Sequence, residues 1–207
     1  MKDSFTLATS YTIGSHILPG EPLENIQNRI GCSISLKTKT CKEIVKGIAS
    51  KEIQLGLIES PIFDENLIYR EWMQDELVVC SKEPFEQSLD RDIISNTHLV
   101  CRAKVSPTRE LITDLLDDLD LSYQSFKSLF QVDNPTTLIQ NIKYSKPNSN
   151  RVAIVSKLAI EDELKKGELY ATRIYDIPMI RKFYVVYDKD FNGDKYIDDI
   201  VDYLQNY

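Results

Sequence analysis

What this sequence lacks narrows it first. Four cysteines, Cys32, Cys41, Cys80 and Cys101, form no C-x-x-C pair, and two histidines, His16 and His98, are too few and too scattered for a zinc site, so neither a metal nor a disulfide framework is expected. Free thiols in a reducing cytoplasm fit that spacing. No apolar run approaches the roughly 18 residues of a membrane span, and Met1-Lys2-Asp3-Ser4 leads into the first strand without a charged-then-apolar leader. Secretion and membrane insertion are not expected; a cytoplasmic location is. There is also no basic stripe. The 25 Lys and Arg residues are dispersed among 32 Asp and Glu, for a net charge of −7, so this chain by itself is not expected to bind nucleic acid, which needs clustered positive charge. No Ser-His-Asp set and no G-x-S-x-G elbow points to catalysis, and no cofactor is implied.

What is present is an ordinary globular composition, 42% apolar and 28% charged, enough for one domain or two small lobes. The chain is organised around Phe5 to Gly14, where alternating apolar residues run into the hydroxyls of Ser10, Tyr11 and Thr12. Ile13, Ile17, Leu18, Leu23, Ile26 and Ile30 then recur at helical spacing, which Pro19 and Pro22 kink without abolishing. In an open α/β sheet the carboxyl end of a strand is where ligands bind, and the following helix offers N–H groups and a positive dipole end to an anion. Ser10, Tyr11, Thr12 and Ile13 are therefore candidate ligand contacts. Helix capping is the competing reading of the hydroxyls.

Strands are predicted over 34–37 and 54–58, with a helix from Thr40 to Ile48 between them, which completes a β-α-β-α-β rhythm and favours a parallel sheet. The turn at Glu59-Ser60 should then lie beside Ser10 to Thr12, which adds Glu59 to the candidate set. Two extended stretches follow, 67–72 and 76–80, and a second α/β rhythm begins after Lys82-Glu83-Pro84. It contains strands over 98–101, 125–132 and 152–155, helices over 108–119, 136–142 and 156–164, then strands over 169–174 and 182–187 and a last helix carrying Tyr196, Ile197, Ile200, Val201 and Leu204. Arg102 to Glu110 repeats the first constellation: a strand end, hydroxyls, and a helix with Leu111, Leu115 and Leu119 inward. Arg102, Ser106 and Thr108 are candidate contacts there, Val132 and Asn134 at the next strand end join them, and Arg109 either pairs with nearby acids or meets a ligand.

Two acidic features carry no expected chemistry. Asp114 to Asp120 has apolar residues at helical spacing and reads as a solvated helix face. Asp188, Asp190, Asn192, Gly193 and Asp199 match a calcium-loop spacing, but the entering segment looks like a strand and Asp199 replaces the bidentate Glu, so an acidic turn with Asp194 capping the last helix is expected.

Taken together, Leu7 to Gly14 with Leu18-Pro19, Leu55 to Glu59, Asp75 to Val79, Ser106-Pro107-Thr108-Arg109 where the family often has Ser-Gly-Thr-Arg, Gly167-Glu168-Leu169 and Arg181 to Tyr187 resemble the effector-binding domain of LysR-type transcriptional regulators. The resemblance implies an α/β fold of the periplasmic-binding-protein type 2 kind, with two Rossmann-like lobes joined by two crossover strands. Lobe I would be 1–78 plus 185–207 and lobe II 79–184, with hinges at Glu76 to Lys82 and Arg181 to Tyr187. It further implies a small effector between the lobes and a homodimer using faces around Leu23, Ile26, Ile30 and Ile34. The hydroxyls at the two helix starts, with Arg102 nearby, suggest an anion with Ser10, Thr12, Ser106 and Thr108 within reach of it, while Tyr11 and Ile13 equally suit an aromatic or apolar body. DNA would be bound only through an N-terminal helix-turn-helix that this chain does not contain. One stretch departs from the family: 144–151 stands where a glycine-containing turn is usual. A free-standing solute-binding protein and an enzyme similar to a prephenate dehydratase are the competing functions.

Overall fold

The alternation of Phe5 and Leu7 with Thr6 forms strand β1 (Ser4–Thr9) in the computed structural model, which describes residues 4–60, 62–104, 106–191 and 194–206. The single kinked helix expected after it is two pieces. A five-residue π-helical segment, Ile13–Ile17, ends before Gly20, and α1 (Glu21–Ile30) starts afresh. Gly20 has φ 85°, a conformation that favours glycine, and Pro22 falls in the first turn of α1, where its missing N–H costs nothing. Strand β2 (Ser33–Thr38), helix α2 (Cys41–Ala49) and strand β3 (Leu55–Ile58) follow. β1 pairs in parallel with both β2 and β3, as the rhythm predicts. Gly56 makes the α2 packing possible, because a Cβ there would collide with the side chain of Ile44.

The two extended stretches expected next are one strand, β4 (Leu67–Ser81), since no turn residue lies between them. The rest runs α3 (Arg91–Ser95), β5 (His98–Arg102), α4 (Pro107–Asp117), β6 (Ser128–Val132), α5 (Pro135–Lys143), β7 (Arg151–Ser156), α6 (Glu161–Lys165), β8 (Tyr170–Thr172), β9 (Met179–Asp188) and α7 (Lys195–Gln205). Short α3 was not legible in the sequence: five residues carry too little periodicity, and its Asp90 cap is the only local signal. The helix expected over 156–164 is a 3₁₀ turn, Leu158–Ile160, followed by α6, and the strand expected from 125 starts at Ser128 because Tyr123–Ser125 is a 3₁₀ turn.

The chain divides into two compact units, Met1–Gln74 with Lys182–Tyr207, and Asp75–Arg181, so β4 and β9 each run from one into the other. The lobe boundaries read from the sequence, 78 and 185, lie within these same two strands. In the first unit the strand order is β2-β1-β3-β9, with β9 antiparallel to β3, and Ala8, Ile44, Ile48, Ile58 and Val186 share one core cluster. In the second the order is β4-β7-β5-β6, with β8 added to β4.

The second unit's sheet is buried on both faces, and the period of two is visible in its cores. Leu77, Val79, Leu99, Cys101, Val152 and Ile154 pack with Ile112 and Leu116 of α4, whereas Val78, Cys80, Val100, Ala153 and Val155 pack with Leu138, Ile139 and Ile142 of α5. The row expected to face inward from α4, Leu111, Leu115 and Leu119, lies at the edge of that core and is only half-buried. Where β4 and β9 leave this unit, Arg181 Nε donates to Asp75 Oδ2 at 2.7 Å and Ser156 Oγ donates to Asp75 Oδ1 at 2.8 Å, all out of solvent.

Candidate functional site

Every helix start leaves N–H groups that something must satisfy. Side chains do this at most helices of the chain. Thr40 and Glu43 form a capping box on α2, Asp90 accepts from Ile93 N–H at 2.9 Å, Asn134 accepts from Thr137 N–H at 2.8 Å, and Asp194 accepts from Tyr196 N–H at 2.9 Å. The two starts singled out in the sequence are built differently.

In the first unit, Ser10 continues from β1 with its N–H on Leu57 O, and its carbonyl accepts from Gly14 N–H, both at 2.9 Å. Thr12 is already in a right-handed helical conformation and caps nothing. Its N–H donates to Glu59 Oε1 at 2.9 Å and its Oγ1 donates to Glu59 Oε2 at 3.0 Å. The turn expected to bring Glu59 beside Thr12 therefore does so, and the Glu59 carboxylate, itself buried, takes the donors an anionic ligand would take. The hydroxyls of Thr9 and Ser10 are buried without a hydrogen-bond partner among the described residues. Gly14 is required here, because a Cβ would run into Thr9 Oγ1. Tyr11 is exposed, and Ile13 is fully buried in the core.

In the second unit, Ser106 stands at the cap position of the 11-residue α4 with extended backbone, yet its side chain makes no cap hydrogen bond. Its Oγ is buried and has no partner among the described residues. Arg109, 7% exposed, donates from Nη1 to Arg102 O at 2.6 Å and lies over the Tyr123 ring, 4.3 Å from guanidinium carbon to centroid. Among the described residues no carboxylate lies within ion-pair distance of it, so the expected pairing with a nearby acid is not made. Arg181, the other buried arginine, has Asp75. Arg102 and Thr108 are half-buried at the same strand end. Burial pushes the Tyr123 phenol up to about 12, so it stays neutral beneath the cation.

The remaining candidates take structural positions: Val132 belongs to the core cluster around α5, and Asn134 is the α5 cap. Of the calcium-like loop, Asp188 ends β9, Asp194 caps α7 as expected, and Asn192 and Gly193 lie outside the described residues, as do Pro61 and Val105. Among the described residues no group of three or more His, Cys, Asp or Glu could hold a metal ion, and no helix is long and apolar enough to cross a membrane. His98 and Ser128 share a 2.6 Å hydrogen bond, but both begin their strands, at the sheet edge opposite the α4 start.

The model of the LysR substrate binding domain family matches residues 2–207. This chain belongs to that family. Its fold is the mixed α/β, periplasmic-binding-protein type 2-like fold of LysR regulatory domains. It is 25% identical over 164 residues to the uncharacterized HTH-type transcriptional regulator YeiE of Escherichia coli (strain K12), covering 77% of this chain and 53% of that regulator. The LysR domain described here thus spans about half the length of that relative. Among solved structures, the CcmR regulatory domain of Synechocystis PCC6803 in complex with 2-PG superposes with a TM-score of 0.80 at 19% identity, covering 98% of this chain and 96% of that one. The effector-binding domain of QuiR in complex with shikimate superposes with a TM-score of 0.76 at 16% identity, over 99% and 98% of the two chains.

Proposed function

We propose that this LysR domain senses a small oxyanion and that the start of α4 is where its charged group is held. The observation that carries this reading is a buried guanidinium without a carboxylate, Arg109, beside the unpartnered Ser106 hydroxyl at an uncapped helix start. A buried charge is costly unless something compensates it, and an anion accepting from Arg109, Ser106 and the Thr108 N–H would; Pro107 has no N–H, and those of Arg109 and Glu110 bond to Ser106 O. Arg102 and Thr108 complete that set. Ser10, Tyr11, Thr12 and Glu59 are assigned to effector recognition in the first unit, while Ile13, fully buried, packs in the core beneath them; Glu59 already serves the helix start and so reads a part of the molecule other than its anion. The effectors in the two neighbouring structures, 2-PG and shikimate, are consistent with a small acid.

Effector binding acts by stabilising the conformation that binds it better, and the DNA-contacting step belongs to the part of such regulators that this domain does not span. The reading places the protein in the cytoplasm and assigns it no catalysis. It includes a homodimer. Ile26 and Ile30, expected at the dimer face, are buried in the first unit's own core, so of that face Leu23 and Ile34 remain, half-buried; exposed apolar side chains elsewhere include Leu129 and Phe130 on the edge strand β6.

Calorimetry with sulfate, phosphate, 2-PG and shikimate tests the proposal. One of these small acids should bind, and Ser106→Ala with Arg109→Gln should abolish that binding while the domain still melts cooperatively. Binding that survives the double substitution overturns the assignment.

A further inference from the structure

The segment that departs from the family, 144–151, frames a cavity of about 600 Å³ on the second unit. Its lining includes Asn141, Tyr144, Ser145, Lys146, Ser149 and Arg151, and a second cavity of about 280 Å³ shares Lys146, Ser149 and Arg151 with it. The segment precedes β7, which is parallel to β5, so this cavity lies at the opposite sheet edge from the start of α4. It is a different place from the site proposed above.

The loop is held in one shape. Asn148 and Asn150 both adopt left-handed backbone, with φ 57° and 49°. Asn148 N–H donates to Glu83 Oε2 at 2.8 Å, and His98 N–H donates to Asn150 O at 2.9 Å. Of the carbonyls at the end of α5, Gln140 O and Ile142 O are taken by the N–H groups of Tyr144 and Ser145.

The side chains are what ask for a ligand. Lys143, just before the loop, is neutralised by Glu163 and Glu168, yet among the described residues Lys146 and Arg151 have no carboxylate within ion-pair distance. In this they resemble other Lys and Arg side chains among the described residues; what sets them apart is that both line the same cavity. Arg151 is instead placed over the Phe130 ring at 5.7 Å, which fixes its fork without neutralising it. Ser145 Oγ is out of solvent with no partner among the described residues. At the rim, Tyr144 is 77% exposed, an aromatic face with nothing of this chain covering it.

We infer that this cavity binds a mononucleotide. Its phosphate accepts from Lys146, Arg151, Ser145 and Ser149, and its base stacks on Tyr144, the combination of cations and an exposed ring by which proteins hold single nucleotides. AMP, adenosine and inorganic phosphate are the probes, titrated calorimetrically into the whole domain. AMP should bind, adenosine at least about tenfold more weakly, and Lys146→Ala with Arg151→Ala should weaken AMP by about tenfold or more, since each tenfold step corresponds to one lost charge-assisted contact. Tyr144→Ala should weaken AMP and leave phosphate unchanged. Tyr144 and Lys146 are exposed and Arg151 is half-buried, and a preserved melting temperature shows that the variants fold. AMP that fails to bind, that binds no better than adenosine, or that binds the cation-deleted variant equally well overturns the inference. So does AMP binding that is lost in Ser106→Ala while the cation-deleted variant retains it, because the nucleotide would then occupy the α4 site.

Discussion

The two helix starts that carry the candidate residues solve one problem in opposite ways. In the first unit the donors of Thr12 are met by a carboxylate of the chain, Glu59, although the hydroxyls of Thr9 and Ser10 beside it have no partner among the described residues. In the second unit, among the described residues, the cap hydroxyl of Ser106 makes no bond and the neighbouring guanidinium of Arg109 has no carboxylate. The contrast sharpens inside the second unit itself, where the other buried arginine, Arg181, is given Asp75 and, through it, Ser156. A cation with an internal partner serves the fold. Arg109, held by a backbone carbonyl and an aromatic ring but by no described carboxylate, is the one our proposal leaves to meet the effector's anion.

The largest effect should come from taking away the internal partner. Asp75→Ala strands Arg181 in the interior and should cost about 3–5 kcal/mol in urea unfolding, whereas removing both ends with apolar groups, Asp75→Leu with Arg181→Met, should recover much of it. A cost below about 1 kcal/mol for Asp75→Ala would show that water or relaxation compensates Arg181, and the contrast with Arg109 would lose its meaning.

Arg109→Gln should behave in the reverse manner. Without effector the stability should change by no more than about 1 kcal/mol, because no charged partner is stranded, while affinity for the oxyanion should fall roughly 10- to 150-fold, the worth of a hydrogen bond to a charged group. Calorimetry and thermal melts on the same samples check both halves.

Thr12→Val removes the hydroxyl that holds Glu59 Oε2 and should lower stability by about 1.5–3 kcal/mol, with less effect on affinity than Arg109→Gln. Equal effects on affinity would mean that the first unit's start also meets the anion.

A cap comparison is finer still. Thr40→Ala breaks a capping box and should cost about 0.5–2 kcal/mol, but Ser106→Ala should be neutral within about 0.5 kcal/mol, since its hydroxyl caps nothing.

The smallest effect is one of pH. Arg173, hydrogen-bonded to Glu76, holds that carboxyl below its ordinary value of 4.5. Its folded value is the depressed one, so the stabilisation is fully present above about pH 4.5 and is lost as pH falls through the lower folded value. Arg173→Gln should flatten the acid limb of the stability curve by less than about 1 kcal/mol, as expected of a partly exposed pair.

Much of this was written in the chain. Alternation and helical spacing place β1, β2, α2, β3, β5, α4, β7 and α7, and the βαβ rhythm fixes their parallel pairing, because each segment buries one face whose period survives in the residues. The hydroxyl clusters after β1 and β5 and the turn at Glu59 are legible for the same reason: they are strand ends, and strand ends are local. What tertiary structure alone decided is who meets whom. That Thr12 bonds Glu59, 47 residues away, that Asp75 is given Arg181, 106 residues away, and that Arg109 is given no carboxylate are outcomes of packing, since partners so far apart in the chain are set by how strands are ordered in a sheet and leave no periodic trace in the sequence. Gly20 and the short α3 escaped for a related reason, as a single residue in left-handed backbone or a five-residue helix is chosen by its surroundings rather than by its own pattern.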